Sequence, residues 1–156
     1  MVSLTGKTAV ITGSTSGIGL AYARAMAKAG ANIVLNGMGT PAEIEKERSG
    51  IESDFKVKAV HSPADMTKPA EIAEMVALGD KTFGSVDILV NNAGIQFVSP
   101  VEEFPIDKWD AIIAINLSSA FHTTAAAIPL MRKAGGGRVV NIASAHGLVA
   151  SPFKSA

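Results

Sequence analysis

Residues 8–19 read TAVITGSTSGIG: an apolar, β-branched run passes straight into a turn carrying Gly13, Gly17 and Gly19, where a helical pattern begins. A short apolar run without alternation fits a parallel strand covered on both faces. A strand that turns at once into a helix needs glycines there, because any Cβ would crowd the backbone. This one stretch therefore points to a fold in which strands and helices alternate.

The alternation continues along the chain. Gly17 to Lys28 reads as the first helix, with Ile18, Ala21, Ala25 and Met26 near one face and Gly30 closing it; NIVLN (32–36) reads as a second buried strand. Thr40, Pro41 and Glu43 supply an N-cap, a proline for the first helical position and a capping-box carboxylate, so a helix runs from about 41 into the low fifties. VKAVH (57–61), a helix over 69–83 ending at Gly84, and VDILV (86–90) follow. A long helical stretch from Asp107 to about Arg132, a glycine break and RVVNIA (138–143) complete the pattern. Strands and helices at this spacing predict one α/β domain, a doubly wound parallel sheet with right-handed crossovers.

Composition narrows the function classes. The 156 residues carry 14 basic and 14 acidic side chains with no block of either sign, which argues against a nucleic-acid partner. With no cysteine, disulfide and zinc–thiolate sites are impossible, and no metal site is expected. The N-terminal apolar run is too short for a signal peptide, and no stretch approaches the ~20 apolar residues of a membrane span. A cytoplasmic protein without a membrane partner is the expectation.

A glycine turn between a strand and a helix lets backbone amides approach a phosphate, and the helix N-terminus adds partial positive charge. The same glycines would also make a plain tight turn. The spacing here is TGxxxGxG, and NNAG (91–94) stands directly after the fourth strand. Together the two motifs resemble the short-chain dehydrogenase/reductase family, and the likeness extends over essentially the whole chain. The resemblance implies strand order 3-2-1-4-5, a nicotinamide dinucleotide across the carboxyl ends of the strands, and a homotetramer for a full-length protein.

By residue type, Asp65 serves as a helix cap or as a hydrogen-bond acceptor, Asn116 as a buried amide, Ser144 as a turn residue and Lys154 as a solvated cation. The resemblance implies more. Gly13, Thr15, Ser16, Gly17, Ile18, Gly19, Asn36, Met38, Asp65, Met66, Asn92, Ala93 and Gly94 become cofactor-binding positions, with Asp65 accepting from the adenine amino group. Asn36 stands where members preferring NAD carry an aspartate for the ribose hydroxyls, and neither Asn36, Gly37 nor Met38 is a cation able to hold a 2′-phosphate. NAD is the expected cofactor. Asn116 and Ser144 become catalytic, the first in a proton relay and the second beside the substrate oxygen.

VLNGMG (34–39), NNAGIQ (91–96) and NIASAHGLVAS (141–151) resemble the branch of the family that interconverts 3-hydroxybutyrate and acetoacetate. Its pattern implies that Gln96, Ser144, His146 and Lys154 bind a small hydroxy or keto acid. Other expectations remain open: another small hydroxy acid as substrate, or a non-catalytic dinucleotide-binding module. Oxidising a secondary alcohol requires a general base at the hydroxyl, which the family supplies as a tyrosine with a lysine four residues later. The family spacing puts that tyrosine just past Ala156. The single tyrosine, Tyr22, has Met26 four residues on and reads as a packing residue. The 156 residues are accordingly expected to be an N-terminal portion, inactive alone, with apolar surface exposed on the fifth strand and on the long helix and poor solubility as a monomer.

Overall fold

A computed structural model describes residues 2–156. Five parallel strands form one sheet: β1 (Thr8–Ile11), β2 (Asn32–Asn36), β3 (Ala59–Ser62), β4 (Ile88–Asn91) and β5 (Arg138–Asn141), in the order 3-2-1-4-5. Between them run α1 (Gly17–Lys28), α2 (Pro41–Phe55), α3 (Pro69–Phe83), α4 (Ile106–Ile112) and α5 (Ser119–Lys133). Each strand start lies within two residues of its expected place.

Alternation of side chains along the strands divides the core between the two faces. Ala9, Ile11, Ile33, Leu35, Ile88 and Val90 pack with Ala23 and Ala27 of α1 and Ile51 of α2. Val10, Val34 and Leu89 point the other way, onto Ile72, Met75 and Val76 of α3 and Ala127 and Met131 of α5. The strands are apolar without interruption because both faces are covered.

Two helix readings need correction. On α1 the buried positions are Gly19, Ala23 and Ala27, whereas Ile18 is exposed, as are Ala21 and Ala25. The helix approaches the sheet by its smallest residues, so residue size rather than hydrophobicity selects the face. The helical stretch Ile106–Lys133 is, by length and composition, long and apolar enough to cross a membrane, contrary to expectation. Its alanines, threonines and serines make it look less apolar when residues are counted singly. Ser119, Thr123, Ala127 and Met131 are buried, and α5 packs on α3 and β4.

The α2 start follows its sequence signature: Thr40 Oγ1 accepts from Glu43 N (3.3 Å), and Glu43 Oε2 accepts from Thr40 N (3.0 Å). Strand β5 forms one edge of the sheet and its four residues are exposed, as are Leu117, Phe121 and Ile128 on the long helix.

At the amino ends of the strands, buried Asp87 accepts from Thr8 N (3.0 Å), Ser85 Oγ (2.6 Å) and Lys7 Nζ (2.8 Å), tying β4 to β1. Burial pushes its carboxyl up, but the bonds from Lys7, Ser85 and Thr8 outweigh this and hold it below the usual aspartate range. A depressed carboxylate stabilises the fold above its unfolded-state pKa and loses that contribution as pH falls through the folded-state value. Asp87→Ala should cost about 1–3 kcal/mol at neutral pH, chiefly by stranding buried donors. In urea unfolding, the gap to the wild type should close as the pH is lowered below the aspartate range.

Candidate functional site

The carboxyl ends of β1, β2, β3 and β4 open onto a cleft of about 360 Å³. It brings together Gly13, Asn36, Met38, Asp65, Met66, Ala93 and Gly94 from four separate loops. Thr15 and Ser16 line an adjoining groove that shares Met38. Gly17, Ile18 and Gly19 form the first turn of α1.

The glycine turn is shaped by close approach. Gly13 has φ +61°, and a Cβ there would lie 2.9 Å from Ala93 Cα. A Cβ on Gly19 would fall on the carbonyl oxygen of Gly13. Ser16, the N-cap of α1, makes no side-chain cap, and the first turn holds no acidic residue. Leu20 N donates to Ser16 O, so the amides of Gly17, Ile18 and Gly19 precede the first helical donor and remain available.

Two asparagines hold this turn. Asn92 Nδ2 donates to Thr12 O (3.0 Å) and Gly13 O (3.1 Å), while Asn92 N and Ala93 N both donate to Thr12 Oγ1 at 2.9 Å. Its side chain supports the turn, and its neighbours Ala93 and Gly94 line the cleft. Asn36 is 1% exposed; its Nδ2 donates to Ser62 O (3.2 Å) and Ala64 O (3.0 Å), and its Oδ1 accepts from Gly13 N (3.2 Å). Both amide hydrogens are therefore engaged within the protein, while Asn36 itself lines the cleft. Because β2 lies between β1 and β3, a side chain at its end can bridge the loops on either side. Met38 is 94% exposed at the rim, with its carbonyl accepting from Thr15 Oγ1 (2.8 Å).

Asp65 Oδ1 accepts from Thr67 N (2.9 Å) and Thr67 Oγ1 (2.8 Å). These bonds hold its carboxyl below the usual range, so it faces the cleft as an anionic acceptor. It closes its own turn and does not cap α3, whose N-cap is Lys68.

At the other end of the cleft, Asn116 lies in a π-helical segment, Ile113–Ser118, between α4 and α5. Such widened turns occur often at functional sites. The Asn116 side chain is exposed and pairs with one peptide unit of the loop after β4: Oδ1 accepts from Ile95 N and Nδ2 donates to Ile95 O, both at 2.9 Å. Ser144 Oγ accepts from His146 N (3.2 Å), which leaves its own proton free to donate. His146 Nδ1 lies 3.3 Å from Val149 O. Lys154 lines a groove with Ser99, Pro100 and Val101, where Ser99 N donates to Phe153 O (3.0 Å). The terminal segment thus docks on the loop that carries Gln96. Among the described residues, no hydrogen bond or ion pair joins the side chains of Gln96, His146 and Lys154 to one another.

A sequence model of the short chain dehydrogenase family matches residues 7–156. The chain belongs to this family. It is 65% identical over 150 residues to D-beta-hydroxybutyrate dehydrogenase of Rhizobium meliloti (strain 1021), a match covering 96% of this chain and 58% of the relative. It is 55% identical over 157 residues to D-beta-hydroxybutyrate dehydrogenase of Cupriavidus necator, covering 98% of this chain and 58% of the relative. The chain therefore spans just under three-fifths of the length of these relatives. L-sorbose reductase from Gluconobacter frateurii, solved in complex with NADPH and L-sorbose, superposes with TM-score 0.92 at 32% identity, over 98% of this chain and 58% of its own.

Short chain dehydrogenases bind nicotinamide dinucleotides, and the residues present fit one. The uncapped first turn of α1 offers amides to a pyrophosphate, and the cleft beyond Gly13 is walled largely by apolar groups suited to a flat base. Sequence reading missed Gly37, Pro63, Ala64, Ile95 and Ile115, which also line the cleft. It also missed the seam behind it, in which Thr123 Oγ1 donates to Asn91 Oδ1 (2.6 Å) and Asn91 Nδ2 to Asn141 Oδ1 (2.8 Å). The matched positions of Asn91 and Asn141, at the ends of two apolar strands, were the available signal.

Gly13→Ala places a Cβ against the backbone of Ala93 at a left-handed φ, a strain of about 1–3 kcal/mol. The variant should have a lower thermal midpoint by circular dichroism. It should also bind NADH more weakly in a fluorescence titration, because relieving the clash moves the turn that positions the first amides of α1.

Proposed function

We propose that this chain forms the dinucleotide-binding part, and one side of the substrate site, of an NAD-dependent oxidoreductase that interconverts D-3-hydroxybutyrate and acetoacetate. The observation that carries the reading is the likeness to two D-beta-hydroxybutyrate dehydrogenases over nearly the whole chain. The cleft geometry supports it. When bound, NAD would accept the hydride from the alcohol carbon.

The chain's residues would bind and orient. The first-turn amides of α1 would hold the pyrophosphate, and Asp65 would accept from the adenine amino group. Ser144 would donate its free hydroxyl proton toward the substrate oxygen, favouring the form in which negative charge develops there. Asn116 would fix the Ile95 peptide and so the approach of Gln96. Gln96, His146 and Lys154 would meet the substrate carboxylate with donors and positive charge.

Removing the hydroxyl proton requires a base. Tyr22, on α1, packs against the core under the β1–β2 face and is not positioned to serve. The exposed face carrying Leu117, Phe121 and Ile128 supports assembly into a homo-oligomer, and a cytoplasmic location accords with this chemistry.

The 156-residue chain should quench or shift NADH fluorescence on binding, and should produce no NADH from NAD and D-3-hydroxybutyrate. Joined to the remaining C-terminal portion of the Rhizobium meliloti relative, it should produce NADH from that substrate, followed by absorbance. Absence of NADH binding sinks the cofactor reading; binding without turnover in the joined protein sinks the substrate assignment.

A further inference from the structure

If the chain binds a nicotinamide dinucleotide in this cleft, a negative charge near the ribose would disfavour the 2′-phosphate of NADP, and Asn36 supplies none. Its Nδ2 is engaged by Ser62 O and Ala64 O, its Oδ1 accepts from Gly13 N, and it carries no charge. The groove adjoining the cleft shares Met38 with it and is lined by Thr15, Ser16, Glu43, Lys46 and Glu47, among others. The end of β2 and the start of α2 therefore face one space.

Glu43 is exposed on the first turn of α2, with its carboxylate tied back to Thr40. Its Oε2 accepts from Thr40 N (3.0 Å) and Thr40 Oγ1 (2.7 Å), and lies 3.9 Å from where a Cβ on Gly39 would stand. Those bonds from Thr40 hold its carboxyl below the usual range, so it is anionic at neutral pH. The positive end of α2 is thereby already met by a carboxylate of the chain itself. Glu47, also in the groove, faces Arg24 at 3.7 Å, and Arg24 is shared with Asp54. Lys46 is the opposing charge lining the groove.

We propose that Glu43 is the specificity-determining residue of this cleft: its fixed carboxylate, beside the loop that ends β2, repels a 2′-phosphate and leaves the 2′-hydroxyl of NAD as the accepted form. The proposal rests on the dinucleotide reading. It transfers to α2 the discrimination that residue type alone would assign to the end of β2. A carboxylate acts here through charge and not through a hydrogen bond to the ribose, so its effect is screened by salt.

NADH and NADPH, titrated separately by fluorescence, test this on the 156-residue chain. The wild type should bind NADH more tightly. Glu43→Gln keeps the capping box, since glutamine serves it as well as glutamate. It should tighten NADPH severalfold and leave NADH within about twofold, because one exposed negative charge is removed from a groove that a phosphate would share. Raising NaCl from about 50 to about 500 mM should narrow the wild-type gap. An unchanged NADH-to-NADPH ratio in folded Glu43→Gln, a wild-type gap indifferent to salt, or wild-type NADPH binding as tight as NADH would each overturn the proposal. If neither nucleotide binds, the dinucleotide reading falls and this proposal with it.

Discussion

The turn after β1 has almost no side chains with which to hold its own shape, yet everything proposed for the cleft depends on where its amides point. Asn92 reaches it from the β4 side and Asn36 from the β2 side, gripping its carbonyls and the Gly13 amide respectively. Ser14 adds a third anchor, its amide donating to Asn36 O at 2.5 Å. Backbone polar groups in a tight glycine turn must find partners, and here the partners come from the strands on either side. The turn is thus held open toward the cleft by bonds on its far side.

That arrangement requires β1 to lie between β2 and β4, which the two-faced core enforces. Ala9 and Ile11 belong to one core and Val10 to the other, so shifting β1 by one residue would exchange them. At the opposite end of the same strands, Asp87 ties β4 to β1. The sheet is therefore pinned at both ends by polar groups, with hydrocarbon alone between them.

The helices differ at their starts in a way that suits the site. Helix α2 satisfies its first amides with Thr40 and Glu43, whereas α1 begins with no such cap. An uncapped N-terminus beside a cleft is a donor set awaiting an anion; a capped one carries its own. Between α4 and α5 the π-helical turn brings Asn116 to the Ile95 peptide, linking the long helix to the loop after β4.

Element order, the glycine turn, the α2 capping box and the Gly84 terminus were legible in the sequence by itself, because each depends on residues a few positions apart: turn sterics, cap bonds and side-chain period. The cleft-lining places of Gly13, Ala93 and Gly94 were legible through two motifs whose spacing repeats within a family, and that of Asp65 through the family resemblance. Tertiary structure alone decided which face of α1 is buried, that the Asn36 amide is taken up by neighbouring loops, and that Glu43 and Lys46 share a groove with Met38. These depend on which strand lies beside which and how closely a helix can approach, and distances between segments remote in sequence are set only when the two cores close around the sheet.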